Sequence, residues 1–163
     1  IEECVKEEIA VTLRLLNKHL KDDQLFRHIV HGDFGEGNAL FQNEKLTAIV
    51  DLTLRYDSLV YDLAIFIFWA CIMTEENKRL NLMKYRQTLD AYQNIRRLTS
   101  VERKILPYLI LRRSCAIFFY SWQRNVKEKD TPIVELNQKM KEVSVWNKGI
   151  RSDLRQMTDA LRA

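Results

Sequence analysis

A chain of 163 residues, 47% of them hydrophobic, can bury one substantial core, so a single compact domain over residues 1–163 is expected. Only four Gly and two Pro, against many Leu, Ile, Lys, Arg and Glu, exclude a loop-rich or disordered chain and point to an ordered, mainly α protein. The formal charge of +4 arises from 26 basic and 22 acidic residues mixed along the chain, with no basic run interleaved with aromatics, which argues against a nucleic-acid partner.

The first twenty residues carry Val5, Ile9, Leu13, Leu16 and Leu20 at helical spacing, which predicts an amphipathic helix ended by Lys21-Asp22-Asp23. Phe26 to Val30 predicts a short strand, and Gly32, Gly35 and Gly37 then permit a tight loop. Ala39 to Phe41 and Leu46 to Val50 predict a small β-hairpin across Gln42-Asn43-Glu44-Lys45. A polar segment, Thr53 to Ser58, leads to Leu59–Met73, apolar nearly all round and therefore expected as a buried helix.

Asn81 to Ile95 predicts another helix that exposes Lys84, Arg86 and Asp90. Thr99-Ser100-Val101-Glu102 has the form of a capping box, which starts a helix at Ser100. Pro107 is expected to kink or restart it, and the helix then runs on from Tyr108 to Val126. Thr131-Pro132 opens a last long helix, with Gly149 its weak point.

Cys4, Cys71 and Cys115 form no CxxC or Cys/His cluster and read as reduced thiols of a cytoplasmic protein. The longest apolar run, Leu63 to Met73, is too short to span a bilayer, so no membrane partner is expected. A start at Ile1 rather than Met is the expectation for a fragment.

The chemistry concentrates between Ile29 and Asp51. Here I-V-H-G-D-F-G-E-G-N and I-V-D bring His31, Asp33, Asn38 and Asp51 between two apolar runs. An Asp with an Asn five residues on, followed by an Asp after the next strand, has the order and spacing of a phosphoryl-transfer loop. In that chemistry one carboxylate orients an alcohol and accepts its proton, a role that suits Asp33, while hard oxygens such as those of Asn38 and Asp51 hold magnesium on phosphates. Taken singly, Asp33 and Asn38 read better as turn caps; the set of three with Asp51 after an apolar strand favours chemistry.

These residues resemble the aminoglycoside phosphotransferase and choline kinase superfamily, in which H-G-D-x-x-x-x-N precedes a strand ending in Asp. His31 to Asn38 and Ile49-Val50-Asp51 carry the match, and Tyr61-Asp62-Leu63-Ala64 resembles its D-L-A element. Ala91 to Arg113 further resembles the helical region of homoserine kinases in the superfamily. The resemblance implies ATP-dependent, magnesium-assisted transfer of the γ-phosphate to a small-molecule alcohol. It also implies that this chain is the mainly α, hairpin-bearing (α+β) C-terminal lobe of the protein-kinase-like fold.

By the same resemblance Asp33 is the catalytic base, and Asn38 and Asp51 are the metal ligands. Leu40 and Val50 would floor the adenine site, although as hairpin residues they are equally explained as core. Asp62 would steady the loop, or else simply sit as an acid at a helix N-terminus; His31 would be a structural hydrogen-bonding residue of the loop. Phe34-Gly35-Glu36-Gly37 departs from the family's usual His-Pro pair, and Leu52-Thr53 from the usual aromatic after the metal-ligand Asp.

No Gly-rich loop or V-A-I-K-like strand precedes His31, so the N-terminal β-lobe that grips ATP is expected to be missing and the isolated chain inactive. The alternative is a non-catalytic, kinase-like binding or regulatory module. Apolar surface left by an absent lobe predicts self-association. For the acceptor pocket, Arg112, Arg113, Tyr120, Trp122 and Arg124 are the candidates, with Arg112 or Arg113 preferred.

Overall fold

The computed structural model describes residues 3–20, 25–127 and 133–162. In chain order these form α1 (Glu3–His19), β1 (Arg27–Val30), a 3-10 turn (Glu36–Asn38), β2 (Ala39–Gln42), β3 (Lys45–Ile49) and β4 (Arg55–Ser58). There follow α2 (Tyr61–Phe68), which passes directly into a π-helical turn (Trp69–Met73), and then α3 (Leu82–Ile95), α4 (Ser100–Lys127) and α5 (Ile133–Ala160). The architecture is mainly helical with two small antiparallel sheets, β1–β4 and β2–β3. The expected helix stop at Lys21-Asp22-Asp23, the Thr131-Pro132 start and the side chains of Cys4, Phe118, Trp122 and Arg124 lie outside the described residues.

The core forms around α2, which buries Tyr61, Leu63, Ala64, Ile65, Ile67 and Phe68. It packs against α4 through the run Ile105, Leu106, Leu109, Ile110 and Leu111, all fully or nearly fully buried. Helix α4 in turn packs on α5, and α1 on both. Among the described residues, no helix is long and apolar enough to cross a membrane. Cys71 and Cys115 are free and buried, and burial pushes the Cys115 thiol up to about 12, so neither is a ready nucleophile.

Several boundaries differ from the sequence reading. The segment Thr53 to Ser58 contains a strand: β4 pairs with β1 in the register Arg27↔Ser58 to Val30↔Arg55. Its residues Arg55-Tyr56-Asp57-Ser58 lack an apolar alternation because only the Ser58 end is buried, so the pairing is written in backbone hydrogen bonds rather than in side-chain pattern. The buried helix begins at Tyr61 rather than Leu59 and turns π-helical at Trp69. In the hairpin, Asn43 and Glu44 make the turn, with φ of 50° and 63°, the left-handed pair that matches strand twist.

Pro107 lies inside a continuous α4 without restarting it. Gly149 is a close-approach site rather than a weak point: a Cβ there would stand 2.9 Å from Cδ of Arg79. The guanidinium of Arg79 continues to the buried Asp153 carboxylate, donating from Nε at 2.9 Å, and thereby ties the turn before α3 to α5. Lys84 is half-buried, not exposed, because its ammonium donates to Glu75 at 2.7 Å.

The capping box forms as read. Thr99 N–H donates to Glu102 Oε2 at 2.9 Å, and Glu102 N–H to Thr99 Oγ1 at 3.2 Å. Arg96 Nη2 adds a third bond to Glu102, at 2.5 Å. Burial pushes the Glu102 carboxyl up, but the bonds from Arg96 and from Thr99 outweigh it and hold it below its ordinary value of 4.5. A carboxylate depressed on folding stabilises the fold above its unfolded-state value, and that contribution is lost as pH falls through the folded-state value. Glu102→Gln should therefore lower stability by about 1–2 kcal/mol at pH 7. In urea unfolding the deficit should shrink below pH 4.5; an equal deficit at both pH values would contradict the linkage.

Candidate active site

The loop from His31 to Asn38 leaves β1 at its buried end, Val30, and is fixed from beneath by α2. Asp62, in the first turn of that helix, accepts two backbone bonds, from His31 N–H at 2.8 Å and from Gly32 N–H at 2.8 Å. Both readings of Asp62 thus coexist in one residue, since an acid in the first helical turn also suits the helix dipole. Gly32 has φ of 84°, and a Cβ there would stand 2.9 Å from the Arg55 side chain, so glycine is required.

His31 is 8% exposed and works as a strut. Its Nδ1 accepts from Asp33 N–H at 3.3 Å, which assigns the ring proton to Nε2, and Nε2 donates to the Val50 carbonyl at 2.9 Å. The ring packs edge-on to Phe34, with centroids 5.8 Å apart. One side chain therefore joins the loop to the end of β3.

Asn38 closes the loop on itself, its Nδ2 donating to the Asp33 carbonyl at 2.8 Å. That leaves the amide oxygen as a hard donor. Asp51, exposed, follows β3 with φ of 58°, a left-handed conformation that Asp tolerates better than most residues and that is often found where function requires it. The backbone on either side of it is bonded to the loop: Val50 N–H donates to the Asn38 carbonyl at 2.9 Å, and Thr53 N–H to the His31 carbonyl at 3.0 Å. The hairpin and the loop consequently behave as one unit.

A cavity of ≈ 420 Å³ opens on this unit, lined by Asp33, Gly35, Glu36, Gly37, Asn38, Trp69, Met73 and Thr74. A larger apolar groove of ≈ 1130 Å³ shares only Glu36 and Thr74 with it. The smaller cavity is the one that holds Asp33 and Asn38. The π-helical turn supplies Trp69 and Met73 to its wall, a frequent use of such turns.

Leu40 and Val50 are 47% and 38% exposed, so their reading as core is wrong; they lie on a hairpin that also exposes Phe41, Leu46 and Ile49. Of the helix residues considered for the acceptor pocket, Tyr120 is exposed at 65%. Arg112 pairs with Asp57 of β4 and covers the Tyr61 ring at 4.1 Å. Arg113 pairs with the Asp33 carboxylate itself. That pairing, across eighty positions of sequence, carries no local signal, and Trp69 sits beside Phe66 and Phe68 in an apolar run that does not single it out.

Among the described residues, no group of three or more His, Cys, Asp or Glu side chains could hold a metal ion. Asn38 and Asp51 carry amide and carboxylate oxygens, donor types that suit magnesium when phosphate oxygens and water complete its shell.

Asp33, Asn38 and Asp51 are thus carried on one loop and hairpin above an α-helical core. The sequence profile of the phosphotransferase enzyme family matches residues 1–98, and the chain belongs to that family. It is 32% identical over 127 residues to homoserine kinase from Rhizobium meliloti (strain 1021), covering 75% of this chain and 38% of the relative. Over 112 residues it is 36% identical to homoserine kinase from Bradyrhizobium diazoefficiens, covering 68% of this chain and 33% of that protein. The chain thus spans about two fifths or less of the curated relatives it matches.

The double bond to Asp62 generates a direct expectation. An Asn at this position keeps one acceptor and sets an amide donor against the second N–H. Asp62→Asn should cost about 1–3 kcal/mol and raise hydrogen exchange at the His31 and Gly32 amides. Unchanged protection of those two amides would contradict the bracing role.

Proposed function

We propose that the chain carries the catalytic loop of an ATP-dependent kinase that phosphorylates a hydroxyl of a small molecule, a homoserine-like amino alcohol being favoured over an aminoglycoside. The observation that carries the reading is the joining of the His31–Asn38 loop to the backbone flanking Asp51. Membership of the phosphotransferase family and the homoserine kinase names of the relatives support the reading, and the ≈ 420 Å³ cavity suits a compact acceptor.

In this reading the Asp33 carboxylate accepts a hydrogen bond from the acceptor hydroxyl and aims its oxygen at the γ-phosphorus. The new O–P bond forms as the bond to the bridging oxygen breaks, ADP leaves, and the hydroxyl proton passes to Asp33. Asn38 Oδ1 and the Asp51 carboxylate would hold magnesium, which when bound neutralises phosphate charge. His31 and Asp62 act by position alone, fixing the backbone that presents these groups.

The exposed apolar hairpin residues Leu40 and Val50 would lie under the adenine, with a covering N-terminal lobe above them; this chain would then be the C-terminal lobe. The same surface is where an isolated chain would associate with itself. In the full-length protein, Asp33→Ala should lower kcat about 100-fold or more while the circular dichroism spectrum stays native. Asp51→Ala should be similarly disabled and respond poorly to added magnesium. Near-normal turnover of the Asp33 variant would contradict the assignment, and near-normal turnover of the Asp51 variant would remove its metal role.

A further inference from the structure

The pair between Arg113 and Asp33 sets a charge of the opposite sign against the residue read as the base. Arg113 reaches it from α4, with 14% of its side chain exposed against 35% for Asp33. Its guanidinium also lies 5.7 Å from the centroid of Trp69, which lines the same cavity as Asp33. Among the described residues, Arg113 Nε is buried with no hydrogen-bond partner. A guanidinium presents five donors in a planar fork, so one that braces a carboxylate through Nη2 keeps donors for another.

The remaining cavity charge is of the other kind. Glu36 is exposed at the cavity edge and Trp69 presents an aromatic wall, two features that suit an ammonium group. Asp33 suits a hydroxyl, and Arg113 touches Asp33 itself, whereas Lys78 and Lys84 reach the cavity wall only at the Met73 carbonyl and at Thr74, with Lys84 also paired to Glu75. The three chemistries converge on a small zwitterion. Because Arg113 touches Asp33, the hydroxyl and the carboxylate of such a molecule must be joined by a short carbon chain.

We propose that Arg113 selects the acceptor by taking the carboxylate of a small hydroxy amino acid while bracing the Asp33 carboxylate. The proposal rests on the phosphotransfer reading of the site and adds the residue that sets its specificity. Arg113 is a specificity residue whose second effect passes through Asp33, so its loss should alter acceptor choice beyond any general loss of turnover.

The test titrates the full-length protein and its Arg113→Ala and Arg113→Lys variants with L-homoserine and with 3-amino-1-propanol, the same chain without the carboxylate. The readout is the ratio of the two affinities by calorimetry, because a lost brace on Asp33 weakens both ligands together. Arg113→Ala should reduce the preference for homoserine about 30-fold or more, with Arg113→Lys, which keeps charge but not the fork, falling between. A natively folded Arg113→Ala protein with an unchanged ratio would overturn the proposal, as would a parent protein that prefers the carboxylate-free ligand. Binding needs no turnover: homoserine bound with Arg113-dependent selectivity, but never phosphorylated, would sink the phosphotransfer reading and leave the carboxylate site standing.

Discussion

Everything at the site depends on one carboxylate accepting two peptide N–H groups. Asp62 fixes His31 and Gly32 from the first turn of α2, at 2.8 Å to each. Both N–H groups belong to a loop that cannot satisfy them within a sheet, and an unpaired buried donor would cost about 1–3 kcal/mol. The largely buried helix α2 therefore serves as the anchor of the His31–Asn38 loop. From that anchor the order passes upward through the His31 ring to Val50, and through Asn38 to the start of β2, so the hairpin inherits the rigidity of the core.

Helix α4 adds an electrostatic layer to this frame. Consecutive arginines on a helix point in directions about 100° apart, which lets Arg112 reach β4 and Arg113 reach the loop. Arg112 pins Asp57 and covers Tyr61, while Arg113 pins Asp33. At such short range and partial burial, attraction between unit charges exceeds what a surface pair provides. One helix consequently orients two segments that are 24 positions apart in sequence, Asp33 and Asp57, and closes the site against the core.

What was legible in the sequence was the part encoded locally. The capping box at Thr99 and Glu102, the hairpin, the amphipathic α1 and the H-G-D-x-x-x-x-N loop each fall within a few residues, where spacing and side-chain chemistry carry the information. Strand β4 escaped because Arg55-Tyr56-Asp57-Ser58 joins β1 by backbone pairing with little buried face. The π-helical turn at Trp69–Met73 has the same apolar composition as the α-helix before it, so periodicity cannot mark the change. Gly149 reads as a helix breaker until Arg79 is seen packed over it. The contact between Arg113 and Asp33 joins two residues whose local contexts, a helix and a glycine-rich loop, say nothing of each other.

The most direct measurement is a crystal structure of the full-length protein with magnesium and a non-hydrolysable ATP analogue. The Asn38 amide oxygen and the Asp51 carboxylate should both lie about 2.1 Å from one magnesium ion, with the Asp33 carboxylate outside the metal's coordination shell and facing the γ-phosphate. A magnesium ion on the nucleotide held by other residues, with Asn38 and Asp51 turned away from it, would contradict the site described for this loop.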